Sequence, residues 1–551
     1  MDSNWSLGYI VESEGKEALV QSFGSLEESR KAIGYFRDKV KAAGFADLHL
    51  QAIAYGQNGE PYLLKKETRK ASASMRSSRS WGSTAMKRCL TLTLFLIACA
   101  VGAQDTYTTD WNSLDKRPTP QWWREAKFGI MIHWGVYSVP AYAPTDLENV
   151  YAKYSEWYGN RLSKNNAAFT NFHARTYGGR VSYADLAAQF RAEHFDPRQW
   201  ADLFQKSGAR YVVLTSKHHD GFALYPSGYC PRWNAQVLGP HRDLAGELAE
   251  AVRERGLRMG FYYSLLEWDN PLYAKATVGR WAEEVNHPQL KELVCRYKPD
   301  ILSCDGDWDF TSAEFRSADF LAWLFNASPV KDTVAVNDRW GKETRGRHGG
   351  FYSIEYGLVH DKKAGSEAIE HPWEESRGIG GSFGYNRFEE VRHYLTSAQC
   401  VELLAETAAR GGNLKLNVGP AADGRIPVIM QERLLDMGRW LAVNGEAIYA
   451  TDAWRRRPKN MREAQVYFTR KPDALYVICA RWPQAPLAVE GVAGAAGVTL
   501  LGSPLPVAFS CADGRLTIQP PAVNPGNMPC AFAWVFKVSS PLDGDARDDF
   551  R

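Results

Sequence analysis

The chain lacks a charge excess. Its 66 Lys and Arg against 63 Asp and Glu leave a formal net charge of +3 over 551 residues, so nothing in the balance calls for a nucleic acid or an anionic membrane as partner. Paired cysteines are missing too: the nine cysteines form no CxxC pair and no metal-type spacing. Cys89 and Cys99 fall in one apolar segment. The odd remainder argues against a full disulfide framework and for buried free thiols. There is no glycine loop of the kind that cradles phosphates, which speaks against phosphoryl transfer. No apolar run is long enough to span a bilayer comfortably, so no stable membrane span is expected.

What the chain has in quantity is aromatic side chains, 19 Trp, 26 Tyr and 24 Phe. Aromatic faces pack on the apolar C–H faces of sugars, but large cores use the same residues, and composition alone leaves both readings open. The length calls for at least two domains, one with room for a barrel of about 250 residues or more.

Met86-Lys87-Arg88, the apolar run from Cys89 to Ala98 and the small-residue exit through Ala103 have the parts of a secretory signal. Cleavage after Ala103 is the first expectation. Leu96-Ile97-Ala98-Cys99 also resembles a lipobox, which would leave a lipid-anchored Cys99, and either route exports the protein to the periplasm or the medium. Export signals sit at an N-terminus, so translation is expected to start at Met86, with 1–85 an extension of unknown role and 86–103 the signal; a genuine appended module is the alternative. Within the extension, Leu7 to Val11 and Leu48 to Ala54 read as strands and Leu26 to Ala43 as a helix stopped by Gly44. A Lys, Arg and Ser-rich linker, Lys65 to Arg79, follows.

From Trp122 the pattern becomes regular. Asp196-Pro197 opens a helix closed by Gly208, and Arg210 to Thr215 follows as a β-branched strand ending at Lys217-His218-His219-Asp220. Asp243 to Arg255 with Leu257 to Tyr262, and Gln289 to Tyr297 with the run into Asp305, repeat the plan. Ala313 to Phe325 with Val334 to Asn337, and Thr396 to Ala409 with Leu414 to Val418, continue it. Such alternation predicts a TIM-like (β/α)8 barrel over 104–449. After Tyr449 short alternating runs separated by Pro, Gly and Asp predict a C-terminal antiparallel β-sandwich over 450–551.

Polar side chains stand just past the predicted strand ends: His218 and His219, Tyr262, Asp305, Arg339 and Glu355. In a barrel these ends converge on one face, where active sites are built. Two carboxylates among polar and aromatic groups describe glycoside hydrolysis. Adjacent histidines also raise the question of a metal, but neighbouring side chains on a strand point apart and no third ligand stands at a recognisable spacing, so neither a metal nor another cofactor is expected.

Phe128-Gly129-Ile130-Met131-Ile132-His133-Trp134-Gly135, Glu156-Trp157-Tyr158, Lys217 to Phe222 and Gly412-Asn413-Leu414 through Asn417-Val418-Gly419-Pro420 resemble the α-L-fucosidases of glycoside hydrolase family 29. The likeness runs in order from about residue 120 to 450. It implies that Asp305 is the nucleophile of a retaining mechanism and that Glu355 is the general acid, with Glu370, Glu374 and Glu375 as nearby rivals. It also implies that His133, Glu156, Trp157, His218, His219 and Tyr262 hold the sugar. Arg339 is read as fixing a carboxylate or hydroxyl and Phe383 as a wall against the sugar's methyl group, while Asp307 is read as structural. The implied substrate is terminal α-L-fucose on an oligosaccharide or glycoconjugate. A carbohydrate-binding protein without turnover and an exo-glycosidase for a sugar of similar configuration, such as a galactoside, are the alternatives. One departure stands out: where many relatives carry tryptophan two residues before the nucleophile, this chain has Ser303.

Overall fold

The chain divides into two units, residues 1–100 and 101–551. The computed structural model describes four strands between residues 6 and 66, and then residues 107–357, 371–454, 456, 460–492 and 494–539. In the first unit β1 (Ser6–Ser13), β2 (Lys16–Phe23), β3 (His49–Tyr55) and β4 (Pro61–Lys66) form an antiparallel sheet of order β2-β1-β3-β4. β1 and β3 are the two strands expected there, while β2 and β4 are additional. The helix expected over Leu26 to Ala43 and the signal-like segment 86–103 lie outside the described residues.

The second unit opens with eight parallel strands. These are β5 (Phe128–Ile132), β6 (Tyr211–Lys217), β7 (Arg258–Ser264), β8 (Ile301–Asp305), β9 (Ala335–Val336), β10 (Tyr352–Glu355), β11 (Trp373–Gly378) and β12 (Asn413–Val418). Their order is β10-β11-β12-β5-β6-β7-β8-β9. A parallel bridge between Asn337 and Phe351 joins β9 to the start of β10 and closes the ring, which makes the sheet the expected TIM-like barrel. All seven residues of β6 are buried, as a strand covered on both faces must be. Helix Pro197–Lys206 begins where the Asp196 carboxylate accepts from the N–H groups of Arg198 and Gln199, and it turns Trp200, Ala201 and Phe204 to the core. Helices Leu244–Glu254, His287–Tyr297, Ser317–Asn326 and Ser397–Ala409 fill the connections read from the sequence.

Two local devices set the end of β8. β9 is only two residues long, and the Asn337 side chain continues its ladder, accepting from Cys304 N at 3.0 Å and donating to Cys304 O at 2.8 Å. Directly after Asp305 the chain turns at Gly306 with φ +75°, where a Cβ would stand 2.5 Å from that of Leu266. The strand therefore stops with Asp305 facing the barrel mouth.

β13 (Asp452–Ala453), β14 (Val466–Lys471), β15 (Ala474–Cys479), β20 (Trp534–Ser539) and β17 (Gly497–Leu500) form one antiparallel sheet in that spatial order. β16 (Leu487–Glu490), β19 (Arg515–Gln519) and β18 (Ala508–Ala512) form a second. In β19 Leu516 and Ile518 are buried while Arg515 and Gln519 are exposed, the alternation of a sheet packed on one side. The larger sheet meets the barrel's last helices: Trp440 Nε1 donates to Ala533 O at 2.8 Å, and the Tyr467 hydroxyl to Glu402 at 2.8 Å. The cysteines among the described residues are all free; Cys304, Cys400 and Cys479 are buried, whereas Cys295 is exposed. Among the described residues no helix is long and apolar enough to cross a membrane.

Candidate active site

At the C-terminal ends of the barrel strands lies a cavity of about 700 Å³. Asp305, Glu355, His133, Glu156, Trp157, His218, His219, Tyr262, Arg339 and Phe383 all line it, although they are spread over 250 residues from 133 to 383. Topology explains the gathering. Asp305 and Glu355 are the last residues of β8 and β10, and His133 and His218 stand just beyond β5 and β6. β6 ends at Lys217, before both histidines, so neither obeys strand alternation and their ring centroids come within 4.1 Å. Among the described residues no group of three His, Cys, Asp or Glu is placed to hold a metal ion.

Asp305 is held from both sides. Tyr262 donates to Oδ2 at 2.8 Å and Arg339 Nη1 to Oδ1 at 2.5 Å, while His219 Nε2 and Arg345 Nη2 each stand 3.8 Å away. Burial works against its charge, but Arg339, His219, Arg345 and the Tyr262 hydroxyl outweigh burial and hold the carboxyl well below the usual carboxylate range. Asp305 is therefore a charged carboxylate fixed at the cavity wall. Glu355 accepts from the Tyr154 hydroxyl at 2.8 Å and from Arg339 Nη2 at 3.3 Å. One guanidinium thus holds both carboxylates, and its Nε is committed to Ser353 Oγ at 2.8 Å.

The histidines are neutral acceptors. Burial pushes His133 and His219 down to about 4 and His218 well below the ordinary histidine value. Asn417 Nδ2 donates to Phe383 O, which leaves its Oδ1 to accept from His133 Nδ1 at 2.7 Å. Ser264 donates to Leu266 O, so His219 Nδ1 must donate to Ser264 Oγ at 2.6 Å. In both rings the bare Nε2 is left to accept from a ligand hydroxyl. Glu156 is fixed by Gly384 N at 2.8 Å and Ser382 Oγ at 3.1 Å, and burial lifts it to about 7 despite these donors. Trp157 leans on the His219 ring at 5.4 Å, and Phe383 stacks on His133 at 4.9 Å.

The rival acids stand elsewhere. Glu374 is buried in an ion pair with Lys415 at 2.6 Å, and Glu375 is buried on the same strand; neither lines the cavity. Glu370 lies outside the described residues. Asp307 is buried and takes both Arg345 nitrogens at 2.7 and 2.8 Å, which positions Arg345 beside Asp305.

Sequence reasoning missed Tyr154, Arg345 and Trp308 as cavity residues. Tyr154 is the single residue between two short 3-10 turns, Val150–Lys153 and Ser155–Trp157, where no periodic signal points at a partner 201 residues away. Arg345 had one readable cue, since a buried Asp307 requires a cation.

The family description "Alpha-L-fucosidase" matches residues 94–446, and "Alpha-L-fucosidase C-terminal domain" matches 459–539. The chain is 42% identical over 460 residues to an alpha-L-fucosidase of Branchiostoma floridae, covering 81% of this chain and 99% of the relative. It is 41% identical to human tissue alpha-L-fucosidase over 445 residues, with 79% and 92% covered.

The chain belongs to the α-L-fucosidase family.

Among solved structures, Thermotoga maritima alpha-fucosidase in complex with a mechanism-based inhibitor aligns at TM-score 0.67 and 37% identity, over 79% of this chain and all of that one. As an α-L-fucosidase the chain is a glycoside hydrolase. It carries Ser303, 3% exposed, in the cavity lining beneath Asp305.

Proposed function

We propose that the protein is an exported, exo-acting α-L-fucosidase that releases terminal α-L-fucose from oligosaccharides or glycoconjugates with retention, through a covalent fucosyl-enzyme. In this reading the barrel, 104–449, does the chemistry, and the C-terminal sandwich, 450–551, packs against it. Asp305 attacks the anomeric carbon while Glu355 gives its proton to the departing glycosidic oxygen. Glu355 then takes a proton from water, whose oxygen displaces Asp305 and restores the carboxylate.

The observation that carries this reading is Arg339. It donates to Asp305 and to Glu355 through its two terminal nitrogens. A retaining pair stands roughly 5 Å apart, closer than an inverting pair that must admit water, and a guanidinium that reaches both carboxyl groups supports that reading. It also couples their charges. While Asp305 is anionic its charge takes most of Arg339's field. Once Asp305 is esterified that charge is gone, and Arg339 pairs with Glu355 as it turns base. Neutral His133, His218 and His219, with Glu156 and the Trp157 indole, receive the sugar hydroxyls, while Phe383 and Tyr262 wall its apolar side.

Proton NMR of an aryl α-L-fucoside during turnover tests the reading. The α anomer of fucose should appear first and mutarotate later; β-fucose as the first product would refute retention. Product analysis on defined fucosylated oligosaccharides should show loss of terminal fucose only, and internal cleavage would refute exo action.

A further inference from the structure

We propose that the enzyme also hydrolyses α-L-galactosides, receiving the sugar's 6-hydroxyl on Ser303 and Lys415. The proposal rests on the fucosidase reading above and concerns the floor of the same cavity.

Residues two apart on a strand share a face. Ser303 therefore lies one layer beneath Asp305 on β8, Met131 one layer beneath His133 and Lys415 one layer beneath Asn417, and all three line the cavity. Lys415 crosses the lumen from β12. Its Nζ stands 3.4 Å from Ser303 Oγ and 2.6 Å from Glu374 Oε1, and Tyr211 donates to the other Glu374 oxygen at 2.7 Å. Lys415 and Glu374 are 2% and 0% exposed. Apolar residues of similar volume fill a barrel core at least as well as a buried ion pair does, so a pair placed under a ligand cavity calls for a polar guest.

The geometry of the sugar says which group that guest is. In the fucosidase reading the histidines, Glu156 and Trp157 receive the hydroxyls on carbons 2, 3 and 4. With the anomeric carbon at Asp305, the substituent on carbon 5, just across the ring oxygen, enters the space between Tyr262, Phe383 and the floor. In fucose this substituent is a methyl group. L-galactose has the same ring configuration and carries a hydroxymethyl there. Its hydroxyl would accept an N–H of Lys415, which ion-pairs with Glu374 and donates to Ser303, and would accept from or donate to Ser303 Oγ. A tryptophan at position 303 would fill this space and offer it no partner.

The test compares kcat/KM for 4-nitrophenyl α-L-galactoside and 4-nitrophenyl α-L-fucoside. The wild-type protein should hydrolyse both. Ser303→Trp should lower the galactoside-to-fucoside ratio by at least about tenfold, the scale of one or two lost hydrogen bonds. The double variant Lys415→Met with Glu374→Gln, which removes the amine without stranding a buried carboxylate, should lower the ratio in the same direction. Ser303→Ala, the mildest change, supplies a readout if the tryptophan variant does not fold. Hydrolysis of the fucoside but not the galactoside by the wild-type protein would overturn this proposal alone, as would an unchanged ratio in all folded variants. Hydrolysis of neither would overturn the fucosidase reading with it.

Discussion

The barrel mouth and the C-terminal sheets bury side chains of opposite character. Around the mouth the buried set includes His133, Glu156, His218, His219, Asp220, Asp307, Asp338 and Arg339; among the described residues from Val466 onward, Thr469 is the sole buried polar side chain. Taking a charge out of water costs several kcal/mol unless it is paired, and the sheets avoid that cost by keeping their charged side chains at least partly exposed. The mouth accepts it and compensates with shared cations and fixed donors, Arg339 between two carboxylates and Arg345 on Asp307. Burial of polar and charged side chains therefore separates the mouth from the sheets.

The comparison breaks first at Asp305. Asp305→Ala should reduce kcat on an aryl α-L-fucoside by 10⁴-fold or more, about the scale of removing a covalent nucleophile, with the thermal transition retained. Glu355→Ala should cost roughly 10² to 10⁴-fold and regain activity with azide, which needs no general base; absence of rescue would move the acid to Glu370. Tyr154→Phe removes one donor to Glu355 and should lower kcat/KM roughly tenfold, while KM-insensitive substrates with good leaving groups should feel it least.

In the sheets the same kind of change should act on stability alone. Phe536→Ala deletes a fully buried ring in β20 and should destabilise by about 3–5 kcal/mol in chemical denaturation, leaving kcat/KM unchanged on the folded fraction. A matching loss of kcat/KM in folded protein would erase the distinction between the two regions.

The smallest effect concerns Glu375, buried on β11 outside the cavity. Burial raises it from 4.5 to about 8, so between those pH values the folded state binds the proton and the unfolded state does not. Stability should fall as pH rises through that window. Glu375→Gln keeps the neutral form and should flatten this slope in denaturation curves at pH 5 and 8; an unaltered slope would show that the carboxyl is not the group titrating.

Legibility in the sequence followed the same division. β6, β7, β8 and β12 were readable because each is a short run rich in apolar residues that follows a helix, three of the helices opening on a side-chain cap at Asp196, Asp243 and Thr396. β11 was not, since Trp-Glu-Glu-Ser-Arg-Gly buries a glutamate on each face, one against Lys415 and one behind the strand. Helix Val428–Asn444 and the short strands β13, β16 and β18 also escaped notice, the strands because runs of two to five residues carry little periodicity. In the site, the residues found were those at strand ends or in dense motifs. Tyr154, Arg345 and Trp308 act from loops, and only folding brings them to the cavity. Ser303 was visible as a departure, but its partner Lys415 was not, because the two meet only across the lumen.

The central claim is that Asp305 carries the sugar. A 2-deoxy-2-fluoro-α-L-fucosyl fluoride forms the glycosyl-enzyme faster than it is hydrolysed, so the inactivated protein should gain the mass of one fluorosugar. Peptide mapping should place it on Asp305, in the segment Pro299 to Trp308. A label on Glu355 or any other residue, or inactivation with no added mass, would contradict the account.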